Sequence, residues 1–377
     1  MAKKAYIGVD GVAKAVKKSY IGVEGVARRI KKAYIGIGGV ARPCLSGGEL
    51  AYYGTVADFS AKRHDSAATT AGSYALFCGG SDGTTIGAVT AAVDAYSASL
   101  TKATVGALSV ARKQFAATSV GDYALFGGGY YPVDGSLFLS SVVDVYSKSL
   151  TQNTPIVLTV GRNHLAATTI GNHALFGGGN TQDGDNKTVD AYDTSLTRSI
   201  PTALSAARSH LAATAVGDYA IFAGGIGDDY VDAYNKAMTR TTTTALSQTR
   251  GTMAAATVGN YALFGGGDNS AGFAPFFSNV DAYDASLTRK IPTALSVARS
   301  FLAASNVGGY ALFVGGKGSD GYNAIVDVYD VALTRTLAQS LSKARYKIGA
   351  TTIGDYALFG GGYADSGNCA TVDVYTV

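Results

Sequence analysis

One motif returns seven times between residue 63 and residue 377. Each copy opens on an arginine, passes through a pair of small residues and a Gly-Asp or Gly-Asn type link, and continues with a stretch like Tyr-Ala-Leu-Phe-Gly-Gly and one like Val-Asp-Ala-Tyr. The opening arginines are Arg63, Arg112, Arg162, Arg208, Arg250, Arg299 and Arg345. Their spacing of 42 to 50 residues is typical of architectures in which each repeat is one structural unit. The sequence therefore predicts seven similar units.

The local pattern within each unit predicts strands. Residues 166–176 place β-branched and aromatic residues on both sides of Gly171-Asn172, and a two-residue link with glycine is typical of a tight hairpin. A third strand is expected at Val-Asp-Ala-Tyr, and a fourth over residues 196–204. Four antiparallel strands form one propeller blade. The predicted fold is therefore all-β, a seven-bladed β-propeller of four-stranded antiparallel blades.

These residues resemble the kelch repeat family, whose repeats carry an arginine, a glycine doublet after a hydrophobic strand, and a later tyrosine. Arg208, Gly224-Gly225 and Tyr234 are one such set. The resemblance covers about residues 50 to 377 and implies the same propeller fold. Kelch repeats usually have a tryptophan in the fourth strand, whereas this chain has none and offers Leu-Thr-Arg there. Leu, Tyr and Phe are therefore expected to pack the blades together.

The seventh unit reaches Val377 just after its third strand. The segment from Leu50 to Lys62 ends in a pattern that elsewhere ends a fourth strand. We therefore expect this N-terminal segment to complete the last blade, because ring closure removes the unpaired edges that an open sheet exposes.

Two regions differ sharply in charge. The chain carries a net charge of +4, but residues 1–46 contain ten Lys or Arg and only Asp10 and Glu24 as acids, so this region carries +8 and the remainder −4. The sequence predicts a basic N-terminal region over residues 1–46 and a mildly acidic propeller over residues 47–377.

The N-terminal region has its own 14-residue repeat, with Tyr-Ile-Gly-Val or Tyr-Ile-Gly-Ile at residues 6, 20 and 34. Each copy predicts a hairpin that turns at Asp10-Gly11, Glu24-Gly25 or Gly38-Gly39. A lone hairpin of this length is marginally stable in water, so we expect a β-repeat stem that oligomerises, with a homotrimer as the expected form. Nucleic-acid binding is disfavoured, because single charges spaced among Gly and Val make a poor phosphate track.

These stem repeats resemble repeats of prophage-encoded tail-associated proteins, in which such a stem precedes a binding domain. The resemblance implies a location on a virion or another extracellular particle after synthesis in the bacterial cytoplasm, and without a phage connection we expect a cytoplasmic protein. Lysines interrupt the N-terminal region, which predicts no signal peptide. No apolar run is long enough to predict insertion into a membrane.

The repeats agree in their strands and differ in the loop after the glycines. Aromatic side chains on variable loops of a rigid scaffold are typical of a binding surface. The predicted ligand-binding residues in these loops are Tyr130, Tyr131, Phe138, Asp228, Asp229, Tyr230, Phe273, Phe276, Phe277, Tyr322 and Tyr363.

The residue two beyond each repeat arginine also varies and is expected near the same face. These residues are Asp65, Gln114, His164, His210, Thr252, Phe301 and Lys347, and His164 and His210 are predicted ligand contacts. The seven arginines are candidates for the rim of this face. The alternative interpretation is that the loops cover blade edges and the arginines hydrogen-bond to neighbouring carbonyls.

Catalytic patterns are weak in this sequence. His164 and His210 hold equivalent positions in adjacent blades, but a metal site needs a further ligand. The repeat aspartates occur seven times, which favours a structural role. We therefore expect no catalytic residues, metal or cofactor. The predicted function is non-enzymatic receptor binding by a phage or prophage tail-associated protein to a cell-surface glycan or protein. The alternatives are a general protein–protein interaction propeller unrelated to phage and, third, a carbohydrate-active enzyme.

Overall fold

The computed structural model of the protein describes residues 49–83, 88–134 and 136–377, together with six short strands within residues 6–43. From residue 49 onwards the main architecture is seven antiparallel sheets of four strands each. The described part of the chain contains no helix. The predicted all-β, seven-bladed β-propeller is therefore confirmed.

Each blade begins with a hairpin. The first strands of blades 1 to 7 are Ala67–Ala71, Ala116–Val120, Ala166–Ile170, Ala212–Val216, Ala254–Val258, Ala303–Val307 and Gly349–Ile353. The second strands are Tyr74–Cys78, Tyr123–Gly127, His173–Gly177, Tyr219–Gly225, Tyr261–Gly265, Tyr310–Val314 and Tyr356–Gly360. In every hairpin the first linking residue is a glycine with φ between 54° and 56°, a conformation that glycine adopts without the steric cost of a Cβ atom.

The outer half of each blade is less regular. The third strands are Val93–Ser97, Val142–Ser147, Val189–Asp193, Asp228–Asn235, Val280–Asp284, Val326–Asp330 and Val372–Thr376. The fourth strands are Lys102–Ala103, Gln152–Val157, Arg198–Ser199, Arg240–Thr242, Arg289–Lys290, Arg335–Leu337 and Ala51–Val56. The fourth strand predicted over residues 196–204 is thus only two residues long. Pro201 follows closely and cannot donate a backbone hydrogen bond to a neighbouring strand.

The seventh blade combines distant parts of the chain. Ala51–Val56 pairs antiparallel with Val372–Thr376 as the fourth strand of this sheet. The Tyr52 hydroxyl donates a hydrogen bond of 2.5 Å to Asp373 Oδ1. The rest of the segment from Leu50 to Lys62 leads into Arg63 and blade 1.

The seven first strands surround the centre of the ring, each in contact with the first strand of the next blade, and the first strand of blade 7 contacts that of blade 1. Hydroxyl pairs join some of these strands, such as Thr118 and Thr169 at 2.7 Å. Further out, side chains of neighbouring blades share one core. Phe264 and Tyr283 of blade 5, for example, pack with Ile221 of blade 4. Phe and Tyr side chains, together with aliphatic residues such as Leu246 of the same cluster, therefore pack these blades together.

Within the described residues, four blades carry an additional small hairpin between their second and third strands. These hairpins are Tyr130–Val133 with Ser136–Leu139, Asn180–Thr181 with Gly184–Asp185, Lys317–Gly318 with Gly321–Tyr322, and Tyr363–Ala364 with Gly367–Asn368. They emerge at the end of the blades where the chain also crosses from one blade to the next. We call this end the loop face.

The N-terminal region contains three two-stranded hairpins. They are Tyr6–Val9 with Val12–Ala15, Tyr20–Val23 with Val26–Arg29, and Tyr34–Ile37 with Val40–Pro43. The turns predicted at Asp10-Gly11, Glu24-Gly25 and Gly38-Gly39, and the boundary predicted between residues 46 and 47, lie outside the described residues. Within the described ranges, no helix has the length and apolar character needed to cross a bilayer.

Candidate functional site

The seven repeat arginines are buried inside the blades. Each is 0% exposed, and its guanidinium lies 2.6 to 2.8 Å from a carboxylate oxygen of the aspartate on the third strand of the same blade. Its Nη2 also donates to the phenylalanine carbonyl of the second strand, at 2.9 to 3.2 Å. The arginines therefore do not contribute to the rim of the loop face, because their charge and donors are used within the fold. The alternative interpretation, that they hydrogen-bond to carbonyls, agrees with these contacts.

The glycine doublets fix the loop face to the neighbouring blade. The second glycine of each doublet donates its N–H to the carbonyl of the next blade's arginine, as Gly129 does to Arg162 at 2.8 Å. A Cβ atom on Gly128 would lie 2.6 Å from that same carbonyl oxygen. Only glycine permits this approach at its φ of 81°. The loops that follow the doublets are therefore held firmly at their bases.

The residue after each arginine lies beside the residue after each glycine doublet. Six blades join these two residues by an isolated β-bridge, and blade 4 joins them by one backbone hydrogen bond. The pairs, from blade 1 to blade 7, are His64/Ser81, Lys113/Tyr130, Asn163/Asn180, Ser209/Ile226, Gly251/Asp268, Ser300/Lys317 and Tyr346/Tyr363. A constant backbone arrangement thus presents a different side-chain pair on each blade.

The residue two beyond each arginine forms a ring around the propeller axis, which we call the axial ring. All seven of these residues have φ between 48° and 59°. Six consecutive N–H···O=C bonds connect them from blade to blade, such as His210 N–H to the His164 carbonyl at 2.9 Å. Their side chains line a cavity of about 220 Å³ at the mouth of the central channel. The ring consists of Asp65, Gln114, His164, His210, Thr252, Phe301 and Lys347.

A second cavity, of about 370 Å³, adjoins the axial ring over blades 6, 7, 1 and 2. We call it the tyrosine–lysine pocket. It is lined by Tyr130, Tyr322, Tyr346, Tyr363, Lys113, Lys347, His64, Asp65, Ser81, Gly83 and Gln114. The structure therefore brings together three of the predicted loop tyrosines, from three different blades.

The aromatic wall of this pocket is a packed cluster. The rings of Tyr322 and Tyr346 stack with their centroids 4.8 Å apart and an interplanar angle of 13°. Tyr363 meets both rings edge-on, at 6.1 and 6.0 Å, and contacts the His64 ring at 5.4 Å. Such offset and edge-to-face contacts stabilise aromatic clusters beyond the burial of their area. The wall is therefore preorganised.

The two lysines of the pocket have different surroundings. Lys347 Nζ is paired with Asp65 Oδ2 at 2.9 Å. Lys113 is buried, with 6% of its surface exposed, and its Nζ donates to Ser81 Oγ at 3.2 Å and lies 5.5 Å from the centre of the Tyr130 ring. Burial lowers the pKa of Lys113, the charge of Lys347 adds to that shift, and the charges of Asp65 and Asp82 oppose it.

Burial shifts the pKa values of two further groups in the pocket, His64 and Tyr346, toward their neutral forms. Burial lowers the pKa of His64, against the effects of Asp65 and of a 2.7 Å hydrogen bond to Asn368. Burial and the neighbouring Tyr322 raise the pKa of Tyr346 to about 12. The Tyr346 hydroxyl therefore remains a donor near neutral pH.

His164 and His210 lie in the axial ring, outside the tyrosine–lysine pocket. Their rings stack at 3.7 Å with an interplanar angle of 21°. Burial is the main cause that lowers the pKa of both, that of His210 to about 4. Within the described residues, no group of three or more His, Cys, Asp or Glu side chains is arranged to hold a metal ion.

The other predicted loop residues occupy separate patches. None of them is among the described residues that line the tyrosine–lysine pocket. Tyr131 and Phe138 pair across the blade 2 hairpin, with ring centroids 6.2 Å apart. Asp228, Asp229 and Tyr230 form the tip of blade 4, where Tyr230 is 47% exposed.

On blade 5, buried Asp268 shapes the next loop through hydrogen bonds from the Ser270 and Gly272 N–H groups, both at 2.9 Å. Phe273 at its tip is 70% exposed, and Phe276 and Phe277 are half-buried.

The sequence-based prediction missed Lys113 and Tyr346. Both directly follow a repeat arginine. The seven residues there are His64, Lys113, Asn163, Ser209, Gly251, Ser300 and Tyr346. This position varies although the arginine before it is constant. An alignment of the repeats on the arginine therefore contains the signal that identifies both residues.

Comparison with known proteins supports the β-propeller as the fold class and indicates no family. No protein family model matches the chain, and no curated protein sequence matches it either. By structure, 732 chains match, so the fold is widespread and does not by itself indicate a function.

One of these structural matches is described as "Structure of YjhT". It superposes with a TM-score of 0.56 and 12% sequence identity, over 71% of the present chain and 96% of that chain. At this identity the similarity concerns the fold alone. Any functional assignment must therefore come from the site itself.

Proposed function

We propose that the protein is a non-enzymatic binding protein that recognises a cell-surface glycan or protein through the tyrosine–lysine pocket and the loops around it. The observation that carries this proposal is the convergence of four tyrosines and a buried lysine from blades 6, 7 and 2 on one pocket, which blade 1 completes. At the equivalent positions blades 3, 4 and 5 carry Asn163/Asn180, Ser209/Ile226 and Gly251/Asp268. A ring of similar blades thus concentrates large recognition side chains in one sector.

The N-terminal repeats support attachment to a phage or prophage tail. These repeats resemble those of tail-associated proteins, and they form three successive hairpins between residues 6 and 43. A homotrimer formed through residues 1–46 presents three pockets to one surface, and multivalent attachment raises avidity without new contacts. The proposed location is therefore a virion or another extracellular particle, with the kelch-like propeller as its binding domain.

A binding screen of the full chain against glycans and intact bacterial cells tests the proposal. Tyr322→Ala removes one face of the aromatic wall and should weaken binding at least about tenfold, since buried aromatic anchors dominate binding energies. Tyr53→Ala is the control, because Tyr53 is 54% exposed and lies on the outermost strand of blade 7.

Unchanged binding by Tyr322→Ala, or no binding by the unaltered chain, contradicts the proposal. A purified protein partner bound without any cell or glycan binding favours a general interaction propeller. Glycan turnover that disappears in a His164→Gln/His210→Gln variant favours an enzyme. The mass in solution, measured by light scattering, is expected to be that of a trimer, and a monomeric mass argues against tail attachment.

A further inference from the structure

Lys113 is an exception among the buried cations of this protein. The other buried Lys and Arg side chains of the described residues are the seven repeat arginines, and each has a carboxylate oxygen within 2.8 Å. Lys113 Nζ has Ser81 Oγ at 3.2 Å, and no carboxylate of the described residues lies within ion-pair distance. An ammonium group removed from water is costly unless it is paired. Lys113 therefore lacks the counter-charge that its burial calls for.

The pocket around Lys113 does not supply that charge. Among the described residues that line it, the one carboxylate is that of Asp65, which is already paired with Lys347 at 2.9 Å. The phenols of Tyr130 and Tyr346 have raised pKa values, so they are neutral near pH 7. With Lys113 protonated, the side chains that line the cavity carry one excess positive charge. A cationic ligand is therefore disfavoured, and an anionic one completes the charge balance.

The aromatic wall defines the rest of the ligand. Tyrosine rings offer flat faces of negative potential, against which the C–H groups of a sugar ring can lie, and hydroxyls that exchange hydrogen bonds with sugar hydroxyls. The cavity of about 370 Å³ lies at the small end of the range for small-molecule sites. One or two sugar rings suit that volume better than an extended peptide.

We infer that the tyrosine–lysine pocket binds a sugar residue that bears one negatively charged group, with Lys113 Nζ as the partner of that group. This inference rests on the proposed function, because it names the ligand class of the same pocket. The anionic group is a carboxylate, as in a uronic acid, or a phosphate on the sugar, and both form charge-assisted hydrogen bonds with a lysine.

Two matched ligand pairs test this inference on the full chain by isothermal titration calorimetry. Galacturonic acid is compared with its uncharged methyl ester, and glucose 6-phosphate with glucose. In at least one pair the charged member should bind about 10- to 100-fold more tightly, as expected for a hydrogen bond to a charged group. The pair that shows this preference identifies the anionic group.

Lys113→Met removes the charge and keeps a side chain of similar length, so it should abolish the preference for the charged member. Lys148→Met is the control on the same blade, because Lys148 is exposed and paired with Asp122 at 2.6 Å at the opposite end of the propeller. Thermal melting checks folding. Lys113→Met should melt no lower than the unaltered chain, because it removes an unpaired buried charge. The charged sugar should raise the melting temperature of the unaltered chain and of Lys148→Met, but not that of Lys113→Met.

Equal binding of charged and uncharged ligands, or a preference that survives Lys113→Met, overturns the inference. If none of the four ligands binds while the full chain still binds cells through Tyr322, the ligand class is wrong and the proposed function stands. If cell binding also fails, both are wrong.

Discussion

At the scale of single residues, the strongest constraint is the buried pair of arginine and aspartate in each blade. In blade 5, Arg250 Nη2 lies 2.7 Å from Asp281 Oδ2, and Asp281 also accepts the Ser247 N–H at 3.0 Å. The pair links the third strand to the connection between two blades. Its sevenfold recurrence therefore reflects the fold and not the ligand.

Arg250→Met should lower the free energy of unfolding by about 3 to 5 kcal/mol, because Asp281 is left buried without its main partner. An Arg250→Met/Asp281→Leu double variant should be less destabilised than the sum of the single changes, since the two groups are coupled. Urea unfolding measures these differences. Lys236→Ala is the control, because it breaks an exposed pair with Asp218 that should contribute less than about 1 kcal/mol. Equal losses for Arg250→Met and Lys236→Ala contradict the structural role of the buried pair.

The two axial histidines, His164 and His210, should make the stability of the fold depend on pH. Burial lowers the pKa of His210 from 6.5 to about 4, against the charges of Asp185, Asp268 and Asp65 and together with that of Lys347. Burial and His210 lower that of His164 as well. The unfolded chain therefore binds more protons than the folded one between pH 6.5 and about 4, and stability falls as the pH falls through this window.

Each pH unit below 6.5 should cost about 1.4 kcal/mol for each histidine that stays neutral in the fold. A His164→Gln/His210→Gln variant should lose less stability than the unaltered chain between pH 7 and pH 4.5. The quantity to compare is the change with pH for each protein, measured by urea unfolding, and not the stability at one pH. Parallel pH profiles for the two proteins rule out this assignment.

At the scale of strands, the first three strands of each blade could be predicted, and so could the fourth strand of blade 7, which lies within the segment from Leu50 to Lys62. The bounds of the other fourth strands could not be predicted. Two β-rich stretches around a glycine link predict a hairpin directly, as for Ala166–Ile170 and His173–Gly177. Fourth strands such as Arg198–Ser199 and Arg289–Lys290 have only two residues, which is too short for a periodic pattern. Their recurring feature is a side chain near the repeat aspartate, such as Lys102, 2.6 Å from Asp94.

Truncated chains test whether the strand Ala51–Val56 stabilises the ring. Removal of residues 1–46 should leave one cooperative thermal transition, because this strand and its pairing with Val372–Thr376 are retained. Removal of residues 1–57 should expose the edge of Val372–Thr376, and exposed edges favour aggregation. Scanning calorimetry with size-exclusion chromatography compares the two chains. Identical melting and elution of the truncated chains would show that this strand does not stabilise the ring.

At the scale of the whole molecule, a nearly symmetric ring supports an asymmetric face. The loops that differ were identified from the sequence, and Tyr130, Tyr322 and Tyr363 were correctly placed among them. Their meeting in one pocket could not be predicted, because it depends on which blades are neighbours and on how far each loop reaches. Lys113 and Tyr346 lie 233 positions apart in the sequence and line one cavity only because blades 7, 1 and 2 are consecutive in the ring.

The features that recur in every blade carry little information about function. The glycine doublets, arginines and aspartates recur seven times because every junction between blades has the same geometry. The candidate site lies where that geometry is kept and the side chains change.

Ligands are proposed to bind at the tyrosine–lysine pocket on the loop face. A crystal structure of the full chain in complex with the tightest ligand from the binding screen tests this directly. We expect ligand density against Tyr322, Tyr346 and Tyr363, with a polar or charged ligand group at Lys113 Nζ. Ligand bound at the opposite face of the ring, or on the N-terminal hairpins with the pocket empty, would contradict it.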